Sequence, residues 1–162
     1  MEKHLQYVSL EELYEKYSDD ILRYSYSILK NLEEAEDMVH EVFIRHIESE
    51  NSFKGDCSYK TWLLVITRNL CFNKLKSSGF ANESFEDSCS NEVYESDFEL
   101  NISIKEAMQK IPSEFSELLY LKEAEGYTYE EIAGLTRLTV ENVAVKLYRA
   151  KKMLRKILKD RS

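Results

Sequence analysis

Basic and hydrogen-bonding side chains are concentrated near the C-terminus, in a pattern suited to binding nucleic acid. Between Arg137 and Arg161 there are nine basic and two acidic residues. Lysine and arginine supply contacts to phosphate, whereas asparagine and similar groups can read the edges of bases. Asn142, Lys146 and Arg149 recur at three and four residues, so they share one face of a predicted helix. The segment is therefore a candidate DNA-binding helix.

A short helix is predicted just before the basic one, and the pair has the dimensions of a helix-turn-helix unit. Thr128 and Glu131 fit a capping box, and Thr139 can cap the basic helix after a break at residues 136–138. In such a unit the first turn of the second helix reaches base edges, while later cations contact phosphate. A plain helical hairpin with a solvated basic face is the alternative. The inner face expected for the basic helix consists of Val140, Val143, Leu147, Ala150 and Leu154.

A second stretch of the chain combines cations with aromatic rings. Residues 57–80 contain four basic residues and no acidic one. An unstacked nucleic-acid strand is held by aromatic rings together with nearby cations. The alternatives are that Trp62 belongs to the hydrophobic core and that the lysines form a solvated face. The side chains of the required types are Tyr59, Lys60, Trp62, Arg68, Asn69 and Lys74.

Carboxylates and an imidazole on neighbouring turns of one predicted helix make a metal-dependent enzyme a further alternative. Asp37-x-x-His40 resembles the Glu-x-x-His unit of di-iron bundles, but those sites need two such units. His4 and His46 have no carboxylate at that spacing, and no phosphate-binding loop or nucleophile elbow is present. The sequence therefore predicts no catalytic residue, no metal, no cofactor and no small-molecule substrate.

Hydrophobic periodicity predicts four helices in the N-terminal half. The first begins after Ser9, which fits a capping box, and the second begins at Asp19 or Asp20. Two further helices cover residues 35–47 and 58–76, with a loop between them at residues 51–56. Their expected buried faces are Ala35, Met38, Val39, Val42, Phe43 and Ile47 in one, and Trp62, Leu63, Ile66 and Leu70 in the other.

An acidic stretch separates this half from the next. Residues 83–99 hold seven acidic residues and no basic one, with no sustained hydrophobic period. Helical patterning resumes at Ile104, Pro112 suits the start of a Leu-rich helix, and Gly126 suits its end. The expected fold is all-α, with two small helical domains over residues 1–77 and 101–162. An acidic linker over residues 78–100 joins the N-terminal bundle to the helix-turn-helix domain.

The composition is typical of a helix-rich globular protein. No apolar run approaches the roughly 20 residues needed to span a bilayer, and the acidic N-terminus lacks the order of a secretory signal. Cys57, Cys71 and Cys89 are odd in number and lie in no metal-binding spacing, so free thiols in a cytoplasmic protein are expected. The net charge of −8 conceals blocks of opposite sign, which favours surfaces with different partners.

Two segments of the sequence together resemble the extracytoplasmic-function (ECF) group of bacterial sigma factors. Residues 110–154 resemble their fourth domain, with the matching motifs at residues 112, 118–121, 129–133 and 149–150. Residues 35–76 resemble their second domain, with the matching motifs at residues 35–37, 41–43, 53–55, 61–63 and 68–69. The order and spacing of the two segments also match the group.

The resemblance implies a transcription initiation factor that binds core RNA polymerase and directs it to promoter DNA. Asp37, Glu41 and Arg45 would belong to the surface that docks on the clamp helices of the polymerase β′ subunit, and the β subunit is a further expected partner. The segment from Cys57 to Trp62 would resemble the part that captures a base flipped out of the −10 element, with the rings and cations between Tyr59 and Lys74 as the side chains suited to holding it. The acidic linker would lie in polymerase channels that nucleic acid otherwise occupies, unless it is only a soluble tether.

The resemblance also implies that the basic helix recognises the −35 element. Arg137 stands at a turn position where the group often has glycine, and a left-handed conformation there costs about 1 kcal/mol. Several positions of the helix carry residues less polar than is common, so the promoter preference of relatives does not transfer. The candidate −35 contacts are Thr139, Glu141, Asn142, Val145, Lys146, Arg149 and Lys152.

The resemblance also implies a mode of regulation, while the helix-turn-helix by itself leaves one main alternative function open. Members of the group are usually held inactive by an anti-sigma factor, often anchored in the membrane, until an envelope or stress signal arrives. The alternative is a polymerase-independent helix-turn-helix regulator, whose N-terminal bundle would serve dimerisation or ligand sensing. Such a regulator would bind duplex DNA tightly by itself.

Overall fold

Helices account for the fold, and their bounds follow largely from local capping. The computed structural model describes residues 9–49, 53, 55, 57–77 and 99–160, with the side chains of residues 99–103 left out. A π-helical turn, Tyr120–Ala124, continues directly from the fifth helix. The helices are α1 Leu10–Leu29, α2 Leu32–Glu48, α3 Tyr59–Ser77, α4 Glu99–Gln109, α5 Ser113–Leu119, α6 Tyr129–Thr136 and α7 Val140–Asp160.

The first helix is continuous, so the predicted break at Asp19 or Asp20 is wrong. Ser9 caps α1 by accepting a hydrogen bond from the Glu12 backbone N–H at 3.2 Å. Asp20 does not cap a new helix, because its Oδ1 accepts from Arg23 Nη2 at 2.9 Å within the same helix. A carboxylate that pairs three residues further along the surface stabilises a continuous helix.

Helix α2 buries the expected apolar face with one exception. Asn31 caps it by accepting from the Glu34 N–H at 3.0 Å. Ile47 was expected inside but is 52% exposed, whereas His46 is buried. The reason is helical spacing, because position 46 follows Val42 by four residues and continues its row. An imidazole occupies that row because its ring packs edge-on against Trp62, with centroids 5.2 Å apart.

Helix α3 packs through a different face from the one predicted. Leu63 is buried as expected, but Trp62, Ile66 and Leu70 are only half-buried. The helix carries apolar side chains on nearly every side, so its periodicity does not mark one face. Packing against α1 and α2 selects the inner side instead. The residues buried there are Leu63, Leu64, Thr67 and Cys71.

In the C-terminal half, helices begin and end close to the predicted residues. Pro112 is the N-cap of α5, and Gly126 adopts a left-handed conformation with φ 72° after the π-helical turn. In α7, Val143, Leu147 and Ala150 are buried as predicted, while Leu154 is only half-buried and Val140 is 39% exposed. Val140 is the first residue of α7 and lies at the edge of the stripe, so it stays at the surface.

The two halves pack against one another. Helix α1 contacts α5 and the π-helical turn, and α3 contacts α6. Buried apolar residues of both halves belong to one connected cluster. Helix α4 begins at Glu99, two residues before the domain boundary expected from the sequence. Of the acidic linker predicted over residues 78–100, residues 78–98 lie outside the described residues, so the domain division stays a prediction.

Candidate promoter and polymerase interfaces

The outer face of α7 presents the predicted −35 contacts to solvent. Thr139, Glu141, Asn142 and Val145 are exposed over the first turns. Arg149 and Lys152 continue the exposed row, while Lys146 is half-buried. Thr139 Oγ1 accepts a hydrogen bond from the Asn142 N–H at 3.1 Å and so caps the helix. The seven predicted side chains thus lie on or beside one face, opposite the buried stripe of α7.

The turn before α7 is fixed by local chemistry. Thr128 and Glu131 form the predicted capping box of α6, with both hydrogen bonds at 3.1 Å. Arg137 ends α6 in the left-handed conformation, with φ 62° and ψ 24°. The turn therefore keeps the geometry that favours glycine, although it carries an arginine. Together α6, this turn and α7 form the predicted helix-turn-helix.

Two features of α7 were not anticipated. Tyr148 is 67% exposed on the same outer face, seven residues after Glu141 and three after Val145. Its spacing could have revealed it, and a phenol can donate a hydrogen bond to phosphate. Lys146 already forms an ion pair, because its Nζ lies 3.4 Å from the Glu114 carboxylate. Lys146 is thus less available to DNA than its neighbours on α7.

The predicted polymerase-docking residues lie on an open face of α2. Asp37, Glu41 and Arg45 are exposed, and Arg45 forms a long ion pair of 3.8 Å with Glu48. Ile44 is 49% exposed among these charges. Sequence reasoning missed it, although an isoleucine three residues after Glu41 must share that face. The surface is therefore charged with an apolar centre, as interface patches often are.

An apolar groove borders this face, where the first turns of α1 meet the end of α2. Its volume is about 410 Å³. Leu10, Tyr14 and Ile47 are each at least two-fifths exposed and contribute to its lining. Glu11 and Glu15 border it with negative charge. The groove extends the α2 face into a larger surface suited to a protein partner.

The rings predicted to hold an unstacked base form an aromatic cluster at the start of α3. Tyr59 stacks on Phe53 with ring centroids 4.3 Å apart and an interplanar angle of 25°. Trp62 lies 5.0 Å from Phe53 and 5.2 Å from His46. Tyr59 and Trp62 are half-buried, so Trp62 is neither wholly core nor free in solvent. Phe53 and His46 support the two rings, and sequence reasoning had not assigned that role.

The four polar residues predicted beside these rings differ in their surroundings. Asn69 is exposed, and Lys74 Nζ lies 3.9 Å from the carboxylate of Glu34 in α2. Lys60 and Arg68 instead contact carboxylates of the C-terminal half. The structure therefore brings Tyr59, Lys60 and Trp62 together on the first turn of α3. The other three residues lie further along that helix.

The described residues contain no group of three or more His, Cys, Asp or Glu side chains placed to hold a metal ion. Asp37 and His40 are both exposed on α2. Across the same residues, no helix combines the length and apolar character that crossing a membrane requires. The predicted contact residues thus lie on three helices, α2, α3 and α7.

Comparisons with known proteins identify both halves of the chain. The family described as Sigma-70 region 2 matches residues 13–80, which include α2 and α3. The family described as Sigma-70, region 4 matches residues 101–154, which include the helix-turn-helix. Together the two matches cover most of the chain, in the order that the sequence predicted.

Relatives match nearly the full length of the chain. RNA polymerase sigma factor YlaC of Bacillus subtilis is 26% identical over 160 residues, which cover 91% of this chain and 91% of that protein. RNA polymerase sigma-H factor of Pseudomonas aeruginosa is 27% identical, covering 88% of this chain and 82% of its own length. ECF RNA polymerase sigma factor SigW of Bacillus subtilis is 26% identical, with coverages of 89% and 86%.

Solved structures share the fold. The sigma factor RpoE of Bartonella quintana, solved in complex with the anti-sigma factor NepR, superposes with a TM-score of 0.77 at 19% identity. The superposition covers 92% of this chain and 96% of that one. CnrH, solved with the cytosolic domain of CnrY, gives 0.70 at 17% identity, with coverages of 94% and 89%. The all-α prediction is confirmed, and the chain belongs to the ECF group of the sigma-70 family.

Proposed function

We propose that this sigma factor binds core RNA polymerase through α2 and contacts promoter DNA through α3 and α7. The observation that carries the proposal is the helix-turn-helix, whose second helix exposes one continuous polar and basic face. The same chain offers aromatic rings beside cations on α3, as the capture of an unstacked base requires. The chain would act where polymerase and DNA are, in the cytoplasm, and leave catalysis to the polymerase.

The polymerase contact is assigned to the exposed face of α2. Asp37, Glu41 and Arg45 would supply charge complementarity to the β′ clamp helices, with Ile44 as an apolar anchor at the centre. The face is free for this role because the opposite side of α2 already packs against α1 and α3. A second contact, from the C-terminal half to the β subunit, is part of the proposal.

The DNA contacts separate by position along α7. Asn142 and Val145 lie near the start of the helix, where an amide can pair with adenine and a valine can contact the thymine methyl group. Thr139 and Glu141 flank them, and the threonine hydroxyl is already used as a cap. Arg149 and Lys152 lie further along and suit phosphate. Lys146 would have to leave Glu114 to join them.

We also propose that an anti-sigma factor holds the chain inactive until a signal releases it. The support is the shared fold with RpoE and CnrH, which were solved in complex with the anti-sigma factor NepR and with the cytosolic domain of CnrY. The groove between α1 and α2 offers exposed apolar surface for such a protein. Because the groove continues the α2 face, one occupant would compete with polymerase.

Footprinting of promoter DNA tests the proposal at both ends of the promoter. The chain and core polymerase together should protect two regions, the −35 and the −10 element, whereas either alone should protect neither. Asn142→Ala should weaken the upstream protection and leave the downstream one, while Lys74→Ala should do the opposite. Glu123→Gln, on the exposed side of the C-terminal half, is the matched control and should change neither.

The same assay separates the alternative function. A polymerase-independent regulator would protect duplex DNA without core polymerase, and Lys74→Ala would have no downstream region to lose. Protection by the chain alone at the concentration that gives holoenzyme footprints would therefore contradict the proposed function.

A further inference from the structure

Two cations predicted to hold the −10 strand are occupied by carboxylates from the other half of the chain. Lys60 Nζ donates to Glu125 Oε2 at 2.7 Å and lies 3.8 Å from Asp20 Oδ1. Arg68 Nε and Nη2 donate to both carboxylate oxygens of Glu117, over 3.0 to 3.2 Å. The acids follow the cations by 65 and 49 residues, so these contacts join the two halves.

The Glu117 carboxylate is enclosed between the halves. Its side chain is 1% exposed, and the buried Tyr24 hydroxyl donates to its Oε2 at 2.8 Å. Burial raises the pKa of Glu117, which the guanidinium of Arg68 and the Tyr24 hydrogen bond offset in part. The Arg68 guanidinium binds the Glu117 carboxylate through two of its nitrogens, and arginine binds phosphate in a similar bidentate way. The carboxylate thus takes up the Nε and Nη2 donors of Arg68 that a phosphate could otherwise bind.

The second pair is more open but also polar. Burial raises the pKa of Glu125, yet the hydrogen bonds from Lys60 and Tyr120 outweigh burial and hold that pKa below its usual value. The carboxylate is therefore ionised around neutral pH. Lys60 and Glu125 are 30% and 11% exposed in their side chains, so water reaches the edge of this contact.

The rest of the contact between α1 and the C-terminal half is rich in hydrogen bonds. Ser113 and Ser116 donate to the carbonyls of Ile28 and Ser27 at 2.6 Å each. Gln109 Nε2 donates to the Tyr26 hydroxyl at 2.7 Å. Polar groups that pair here can pair with water after separation, whereas the buried apolar residues shared by the two halves oppose it. Opening of the closed arrangement therefore has to be driven by the contacts that polymerase makes with the separated halves.

Promoter geometry requires the halves to part. For 162 residues a compact fold has a radius of gyration of about 15 Å, which corresponds to a globule about 40 Å across. The −35 and −10 elements lie about 25 base pairs apart, which at about 3.4 Å each is about 85 Å. The closed chain cannot reach both elements at once, and its −10 cations are covered.

We propose that the closed arrangement is autoinhibitory: Glu117 and Glu125 mask Arg68 and Lys60 until polymerase binding separates the halves. The inference rests on the proposed function, because it concerns the same −10 surface. The carboxylates act as internal substitutes for the phosphates of the promoter strand. Only open chains can bind polymerase, so the apparent affinity is the intrinsic affinity multiplied by the open fraction. Weakening the mask raises that fraction and therefore the apparent affinity.

The test uses the full chain with glutamates replaced by isosteric glutamines. Glu125→Gln removes one ion pair at a partly exposed position, and Glu117→Gln removes the enclosed charge while keeping hydrogen-bonding capacity. Glu123→Gln is the matched control, because Glu123 pairs with Lys151 at 3.2 Å within the C-terminal half. Circular dichroism establishes that each variant is folded before it is compared.

Energy transfer between two dyes reports separation of the halves directly. The dyes are attached through Glu12→Cys on α1 and Lys156→Cys on α7, both exposed positions, in a chain that also carries Cys57→Ser and Cys89→Ser. Cys71 can stay, because it is buried and burial raises the pKa of its thiol to about 12. Core polymerase is then titrated into each labelled chain.

The wild-type chain should show efficient transfer when free and lose it in holoenzyme. Each masking variant should show less transfer when free and bind core polymerase about five- to tenfold more tightly, while Glu123→Gln matches the wild type. Unchanged transfer and affinity in both masking variants would overturn the proposal, as would efficient transfer in holoenzyme. If no form binds polymerase, the proposed function fails, and transfer in the free variants still decides whether these acids hold the halves together.

Discussion

Reversing two charges on α2 should remove polymerase binding without unfolding the protein. The change is Asp37→Lys with Glu41→Lys. Both side chains are exposed and lie four residues apart, so the like-charge pair on the helix surface is kept with its sign reversed. A lysine at position 41 would lie one helical turn from Arg45, and like charges four residues apart cost about 0.2 to 0.5 kcal/mol. The free energy of unfolding should therefore fall by less than about 1 kcal/mol.

The effect on binding should be much larger. Each reversed charge replaces an attraction to the polymerase with a repulsion, and like charges at an interface cost several kcal/mol when they are close. A combined loss of about 3 kcal/mol corresponds to roughly a hundredfold weaker binding. Because these charges are exposed, the difference between variant and wild type should shrink as salt is raised.

The assay is retention of the full chain on immobilised core polymerase at several salt concentrations, beside urea unfolding followed by circular dichroism. The control is Glu12→Lys with Asp19→Lys, an equal change in charge at two exposed positions seven residues apart on α1. The control should bind as the wild type does. Undiminished retention of a folded α2 variant would refute the docking assignment. If the control variant lost retention equally, the effect would come from net charge and not from the α2 face.

Three further predictions concern the C-terminal half of the chain. Asn142→Ala should change the relative affinities for −35 variants by about 1 to 3 kcal/mol, whereas Arg149→Ala should weaken binding to all of them alike and lower the salt slope by about one. Competition binding of holoenzyme measures both effects, and the reverse pattern would show that the orientation proposed for α7 in the groove is wrong. Arg137→Gly should raise the free energy of unfolding by up to about 1 kcal/mol by relieving a left-handed φ of 62°, and Gly126→Ala should lower it by about 1 kcal/mol although no atom lies within 4 Å of the added Cβ; denaturant unfolding that gives the same sign for both would contradict this. Thr128→Ala should cost about 1 kcal/mol through loss of the capping box, and Thr128→Ser should recover most of it in the same measurement.

Features set by neighbouring residues were predictable from the sequence. The caps at Ser9, Thr128 and Thr139 and the turn at Gly126 depend on a few adjacent positions, and all four are found. The exposed face of α7 follows from its narrow buried stripe, because the remaining positions have nowhere else to lie. The helix-turn-helix and its candidate DNA contacts were therefore accessible before the fold was known.

Features set by distant residues were not predictable. No sequence pattern near Arg68 indicates that it pairs with Glu117, because the two are 49 positions apart and an isolated glutamate is expected to be solvated. The inner face of α3 could not be chosen, since apolar side chains surround that helix and only packing against α1 and α2 decides. Helical spacing places position 46 in the buried row, but a histidine is suited to that row only because Trp62 packs against it, which is a tertiary property.

Transcription by purified core polymerase on genomic DNA fragments tests the central claim most directly. With the chain present, sequencing of transcript 5′ ends should reveal start sites that core polymerase alone does not use. Those start sites should share upstream sequences at the −10 and −35 positions, and Asn142→Ala should shift the choice among them. Start sites unchanged by the chain, under conditions where it binds core polymerase, would contradict its assignment as a promoter-directing factor.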